Sequence, residues 1–560
     1  MSTTPPRSSH SQTSSANAPP LPPSIRAVRD ATAAGRRGRT LVICLDGTGD
    51  KFDGDNSNVV NFVACLKKDS VEQVTYYQSG IGTYDGHGLK GGISAAVDMA
   101  VGSGLGIHIK DAYRFLMQNY REGDQICLLG FSRGAYTVRC LAGMLHKVGL
   151  LPAHNMAQVN FAYTFYKNSS PEGWAMSAEF KRTFCIDVHV YFVGVWDCVA
   201  SVGFIPRKLP FGKSATNSIH HFRHAMALDE HRAKFKICQY VHADPAALQR
   251  GGAARAAARS VKEKKDESSG RAFRIFSSCF GMKPTPGVNQ DDLIRQRNPV
   301  SSRGRVQTPG RREDEQSEAK DEDPETTELA SSHGLRTDIS EVWFAGCHAD
   351  VGGGAVPNGA RHMLSRIPLR WMLRQCFECD TGIRFSTVAL ARTGLDVSSL
   401  WPRYVGPSPR TVAAFEEGGS PPLARRVTAG GGLDPGAPLG LFPEHIEDHF
   451  DALAPLNDQL VLARLWWLLE LWPVKVRVQT REKAAWEKKV RMNMGRYRAV
   501  RELEPKMHWT VERRIKEGKK GEEGKDEEEN KGKSKGKGKV AEGYRVRNTV
   551  DREARWVVTV

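Results

Sequence analysis

Apolar and polar positions divide the chain into blocks of contrasting texture. From Arg39 onward, TLVICLDGTG is an unbroken apolar run closed by an Asp-Gly turn, the pattern of a strand buried on both faces that feeds a loop. VTYYQSGIG, DQICLLGF, VHVYFVGVWD, FKICQYVHAD and SEVWFAGCHADVGGG repeat this texture and predict further strands. Between them, residues 57–68, residues 92–119 (broken by GSGLG), SRGAYTVRCLAGMLHKVGL, HHFRHAMALDEHRAKF and LSRIPLRWMLRQCFE predict helices. Strands alternating with helices imply parallel pairing. The expected class is therefore α/β, a doubly wound, mostly parallel sheet with helices on both faces. LVLARLWWLLELWPV, residues 460–474, is too short for a membrane span and is interrupted by Arg464 and Glu470. It reads as a packed or interfacial helix.

The flanks of this pattern are different. Residues 1–38 are Ser/Pro-rich, 247–336 form a charged insertion, and 476–560 are charged and largely of low complexity apart from a strand-like RWVVTV. Such segments bury too little apolar surface to offset their ordering entropy, so they are expected to be disordered. The folded α/β domain is accordingly placed at residues 39–246 and 337–475. Much of the formal net charge of +17 lies in the flanks and the insertion, with no base-reading motif, so no specific nucleic-acid partner is expected. The 11 cysteines show no regular spacing, which fits a reducing compartment and argues against a disulfide framework or structural zinc. The N-terminus has no apolar signal region, and an intracellular, most simply cytoplasmic, location is expected.

The sharpest motif is LLGFSRGAY, which holds Gly130-Phe131-Ser132-Arg133-Gly134. G-x-S-x-G between an apolar strand and a helix is the nucleophile elbow: small flanking residues permit a tight turn that lifts the serine hydroxyl above the sheet edge. The helix N-terminus beneath it favours developing negative charge. Serine needs a base, and the base needs an acid to orient it. Asp197 ends the strand VHVYFVGVWD, and His348 follows the strand EVWFAGC, giving the order Ser, acid, His at three strand ends. Taken singly, Asp197 could cap a helix and His348 could be a packed core residue. Asp187 and Asp350 are rival acids; His189, His242, His220, His221, His224 and His231 are weaker bases. An oxyanion hole would draw on the backbone N–H of Arg133 and of Gly47 or Thr48 in the CLDGTGD loop.

Two metal or phosphate readings fail on spacing. DGTGDKFDGD invites calcium, but position six from Asp46 is Lys51 and position twelve is Ser57, where an EF-hand needs Gly and Glu. GSGLG at 102–106 lacks the Gly-Lys-Ser/Thr of a phosphate loop and reads as a helix-start turn. No metal and no cofactor are expected.

LDGTGD, AYRFLMQNYREGDQICLLGFSRGAYTVRCLAGML, VGVWDCVASVG, FRHAMALDEHRAKF and VWFAGCHADVGGG, in that order, resemble the DUF2235 family. Its α/β-hydrolase domain is similar to the catalytic domain of Tle1-like type VI secretion phospholipase effectors. The resemblance covers roughly residues 39–245 and 337–380, and the long insertion and charged tail depart from it. It implies Ser132 as nucleophile, Asp197 as acid and His348 as base, with acyl esters, phospholipids among them, as substrates. The expected function is a serine hydrolase acting on a lipid or other carboxylic ester, with peripheral membrane contact through Trp466, Trp467 and Trp472. The competing expectation is a catalytically silent scaffold that keeps the fold and binds partners.

Overall fold

The structure, a computed structural model, describes residues 21–32, 38–48, 50–80, 93–199, 209, 218–240, 337–407, 443–479, 486–518 and 544–560. The expected disorder of residues 1–20, the insertion at 247–336, the central part of the charged tail and His242 all lie outside these. Contacts divide the chain into Met1–Tyr240 with Leu335–Val560 as one unit and Val241–Gly334 as another; the described residues belong to the first.

Eight strands form one sheet: β1 Thr40–Leu45, β2 Gln73–Gln78, β3 Gln125–Phe131, β4 Val190–Trp196, β5 Ile219–Ala227, β6 Asp338–Phe344, β7 Lys506–His508 and β8 Val557–Thr559. Their order across the sheet is β8-β7-β6-β5-β4-β3-β1-β2, and every neighbouring pair is parallel. The apolar runs are continuous because both faces are covered. Leu41, Ile43, Leu45, Ile126 and Leu128 pack on one side against helices α2 (Ile93–Asn119) and α3 (Ser132–Val148). Val42, Cys44, Cys127, Leu129 and Phe131 pack on the other, against α1 (Asn58–Cys65) and α5 (Arg366–Glu378). Between β6 and α5 lies the short α4, His348–Gly352.

The sequence reading differs from this fold in four places. HHFRHAMA is strand β5, not a helix. Its polar residues mimic helical spacing, yet the buried ones find partners around the strand: His224 accepts from Cys198 N–H and bonds Glu341, while Arg223 donates to Asp338 and Gln375. FKICQYVHAD forms no strand among the described residues, only a single bridge from Ile237 to Val199. GSGLG does not interrupt α2, which runs through it. Residues 459–472 are two short α-turns around a 3₁₀ turn, after which Pro473–Gln479 pairs antiparallel with Trp486–Met492. The chain turns there because the buried Glu470 carboxylate accepts from Ala233 N–H, Asn493 and Gly495 N–H.

The folded part also reaches beyond the span of 39–475. Ser24–Arg26 pairs with Arg384–Ser386, and β7 and β8 come from the charged C-terminal region. There Val500, Met507 and Val511 bury against Met226, Leu228 and Trp343. No helix among the described residues is long and apolar enough to cross a membrane, and no disulfide joins the described cysteines.

Candidate active site

The three sequence-selected side chains meet at the C-terminal edge of the parallel strands, where this class of sheet presents its loops. Ser132 begins α3 directly after β3, Asp197 follows β4, and His348 opens α4 after β6. His348 Nε2 lies 2.8 Å from Ser132 Oγ, and His348 Nδ1 lies 2.5 Å from Asp197 Oδ2. All three are buried.

Ser132 and Asp197 both have positive φ, 55° and 38°, in a region that costs a non-glycine residue about 1–3 kcal/mol. The turn is possible because of its glycines. A Cβ on Gly134 would stand 2.2 Å from Leu45 O, and one on Gly130 would stand 2.7 Å from Gly134 C, so α3 could not start this close to the ends of β1 and β3. Gly352 solves the same problem on the histidine side: a Cβ there would stand 1.8 Å from the Phe131 ring. The α4 turn can therefore lie on the elbow, where the rings of Phe131 and His348 sit 4.7 Å apart.

The rival residues are committed elsewhere. Asp187 is exposed and paired with Lys181. Asp350 accepts from Cys347 N–H and from Asn457. His224 is held within the sheet as described above. His231 bonds Gly495 O through Nδ1 and Asp458 through Nε2, so both nitrogens face acceptors. His220 and His221 lie on β5, and the His189 and His220 rings face each other 6.4 Å apart.

Of the expected oxyanion donors, Arg133 N–H lies in the first turn of α3, where no intrahelical carbonyl is in reach. Gly47 N–H is donated to Asp46 Oδ1. The adjacent Thr48 has a buried hydroxyl with no hydrogen-bond partner among the described residues. In the run that invited calcium, the Asp46 carboxylate accepts from Gly47 N–H, Ser57 Oγ and Tyr77 OH, so protein donors occupy it. Burial and the neighbouring Asp46, Asp53 and Asp55 push Asp50 up to about 8, which leaves it protonated at neutral pH. Elsewhere, His221, Asp338 and Cys379 could together hold a metal ion, but Arg223 donates to the same Asp338 oxygen that faces His221. That guanidinium opposes a second cation there.

Several residues around the site have no signal in the G-x-S-x-G pattern. Arg498 donates to both Asp197 oxygens, at 2.6 and 2.9 Å. Glu230 accepts from His348 N–H and pairs with Arg232. The Arg232 guanidinium lies 3.5 Å above the Phe235 ring, which is 4.8 Å from the His348 ring and 5.6 Å from that of Trp466. Glu230 and Arg232 fall within FRHAMALDEHRAKF; Arg498 lies in sequence with no visible pattern.

These neighbours set the protonation states. Burial works against the Asp197 charge, but Arg498 and His348 outweigh it and hold the carboxyl well below the usual range. Burial, with Arg232 adding to it, pulls His348 below the ordinary imidazole value despite Asp197. A base must be neutral to accept a proton, so the acid limb of kcat/KM is expected below about pH 6.5, with a plateau by neutrality. A pH profile on a soluble ester measures this, and a limb centred above pH 7 would contradict the geometry described.

The chain matches the family described as T6SS, phospholipase effector Tle1-like, catalytic domain, over residues 39–375. It is 27% identical, over 86% of its length and 79% of the relative's, to an uncharacterized protein of Saccharomyces cerevisiae. Among solved structures, an uncharacterized protein from Pseudomonas aeruginosa is similar with TM-score 0.30 and 14% identity, over 62% of this chain and 46% of that one. The Tle1 effector bound to the VgrG spike of the type 6 secretion system is similar with TM-score 0.22 and 18% identity, over 38% of this chain and 53% of that one. The chain thus spans about half the length of each of these solved proteins. With the family match covering the elbow, Asp197 and His348, this chain belongs to the Tle1-like phospholipase effector catalytic domain family, a family of lipase-type hydrolases.

Proposed function

We propose that the chain is a serine hydrolase that cleaves a carboxylic ester of a lipid, with Ser132 as nucleophile, His348 as general base and Asp197 as its orienting acid. The observation that carries this reading is the continuous contact from Ser132 Oγ through His348 to Asp197. Ser132 Oγ attacks the acyl carbon as His348 Nε2 takes its proton, and the carbonyl electron pair moves onto oxygen. Arg133 N–H and the Thr48 hydroxyl or N–H are the donors assigned to that oxyanion, in place of the engaged Gly47 N–H. Collapse expels the alcohol, which takes the proton from His348. Water, deprotonated by the same imidazole, then releases the acid from Ser132. No step needs a cofactor.

A hydrolysis screen over soluble esters and phospholipids, with Ser132→Ala as control, tests the reading. Turnover of no ester by the folded wild-type protein would reject it in favour of a silent scaffold.

The lipid class is supported by what lies beside the site. Leu462, Leu465, Leu468, Leu471 and Trp472 are exposed on residues 459–472, with Met492 and Met494 adjoining through the Glu470 contacts to Asn493 and Gly495. Trp466, in the same segment, reaches the Phe235 ring next to His348. Exposed Arg464, Lys489 and Arg496 lie along this apolar stretch and the neighbouring hairpin. Apolar side chains interleaved with cations suit the surface of an anionic bilayer. Replacing Leu465, Leu468 and Trp472 together by serine is expected to weaken vesicle binding at least about tenfold. Hydrolysis of vesicle lipid should fall far more than hydrolysis of a short soluble ester, and an equal loss on both would remove the surface role.

A further inference from the structure

The Asp197 carboxylate has a partner that a Ser-His-Asp constellation does not require. Arg498 Nη1 donates to Oδ1 at 2.6 Å and Nη2 to Oδ2 at 2.9 Å. The remaining donors of the guanidinium are also used: Nη1 to Ala227 O, and both Nη2 and Nε to Phe235 O. Its five N–H groups thus make five hydrogen bonds to four acceptor oxygens in a buried site, the full donor capacity of arginine. Asp197 is equally filled, since Ala227 N–H and His348 Nδ1 take the other two positions on its oxygens.

Arg498 is itself fixed from outside the family-matched span. It precedes Ala499–Val500, which pairs in parallel with Thr549–Val550. Asn548 Nδ2 donates both to Arg498 O and to Leu228 O. Tyr544 OH donates to Asp229, whose carboxylate also accepts from Gly346 N–H, two residues before His348. The C-terminal segments therefore hold the loop after β5 and the loop carrying the base.

Resting on the assignment of Ser132, His348 and Asp197 above, we propose that Arg498 is a positioning residue for that constellation: its planar fork locks the Asp197 carboxylate in the plane that faces His348, ties it to the loop carrying Phe235, and tempers the negative charge that His348 experiences. Two effects follow from one side chain. The fork fixes orientation, because two parallel N–H bonds stop the carboxylate from rotating. The positive charge opposes formation of the imidazolium, in the same sense as Arg232 and against Glu230, the other charged groups that face His348. Without it, Asp197 stabilises protonated His348 more strongly, the imidazole pKa rises, and the base becomes available only at higher pH.

The test compares Arg498→Met and Arg498→Lys with wild type in full-length protein, using a soluble ester over a range of pH, with folding checked by circular dichroism and melting. In Arg498→Met the acid limb of kcat/KM is expected to move up by about half to one pH unit. Its plateau should fall about 10- to 100-fold, mainly in kcat. Arg498→Lys retains the charge but cannot bridge both oxygens and Phe235 O. Its limb should stay near that of wild type while its plateau remains depressed by at least about threefold. A folded Arg498→Met protein with an unmoved limb overturns the proposal. If Arg498→Met does not fold, an Arg498→Lys protein equal to wild type in limb and plateau overturns it. Labelling of Ser132 in wild type by a fluorophosphonate is read separately: unlabelled Ser132 refutes the hydrolase assignment itself, whereas labelled Ser132 with unmoved profiles refutes only the role of Arg498.

Discussion

Ser132→Ala is expected to lower kcat/KM for ester hydrolysis about 10⁴- to 10⁶-fold while leaving the fold intact. The size of the effect follows from the geometry. Among the described residues, His348 Nε2 bonds the Ser132 hydroxyl alone, so without Oγ a base at His348 has no nucleophile to activate. What remains is binding and whatever Arg133 and Thr48 offer the carbonyl. Stability should change little or improve slightly, because alanine fits the space but still occupies the positive-φ position at 132. The measurement pairs hydrolysis rates with fluorophosphonate labelling, and labelling of the alanine variant as strong as that of wild type would place the nucleophile elsewhere.

A protein ended after residue 475 is expected not to fold, although the family match stops at residue 375. Its loss would strip β7 from β6, leaving that strand edge bare in a sheet built to be covered. It would remove Val500, Met507 and Val511, and expose Met226, Leu228 and Trp343. Burial of each large apolar side chain stabilises by about 1.5–3 kcal/mol, and an unpaired buried Asp197 costs about 3–5 kcal/mol. Together these reach about 12–23 kcal/mol, as large as or larger than the roughly 5–15 kcal/mol by which domains are stable. Soluble expression and a cooperative melt decide the matter; a truncated protein melting within a few degrees of the full chain would show that the C-terminal strands are dispensable.

The parallel sheet was legible in the sequence because strands covered on both faces leave unbroken apolar runs, as in TLVICL and ICLLGF. The meeting of Ser132, Asp197 and His348 was legible because each stands where such a run ends. β5 was not, since its histidines and Arg223 carry a polar spacing that only their partners Glu341, Asp338 and Gln375 make compatible with a buried strand. Nor was the C-terminal contribution. KMH is too short to show a period; VVT lies in the strand-like RWVVTV, but its place in the sheet is set by β7, and that of β7 by β6, more than a hundred residues away in the chain. Arg498 was invisible for the same reason: one arginine in a basic stretch carries no local mark of a carboxylate 301 positions upstream.

That separation also gives the site an order of assembly. During synthesis the chain emerges from its N-terminus, so Ser132 and Asp197 appear first, His348 later, and Arg498 with β7 and β8 after a further long stretch. Contacts this distant in sequence form slowly and only once both ends exist. A ribosome-bound chain therefore holds Ser132 before His348, and His348 before Arg498. On the reading proposed above, the constellation is complete only after residue 498 has been made and docked, so a chain still being translated is expected to lack full activity.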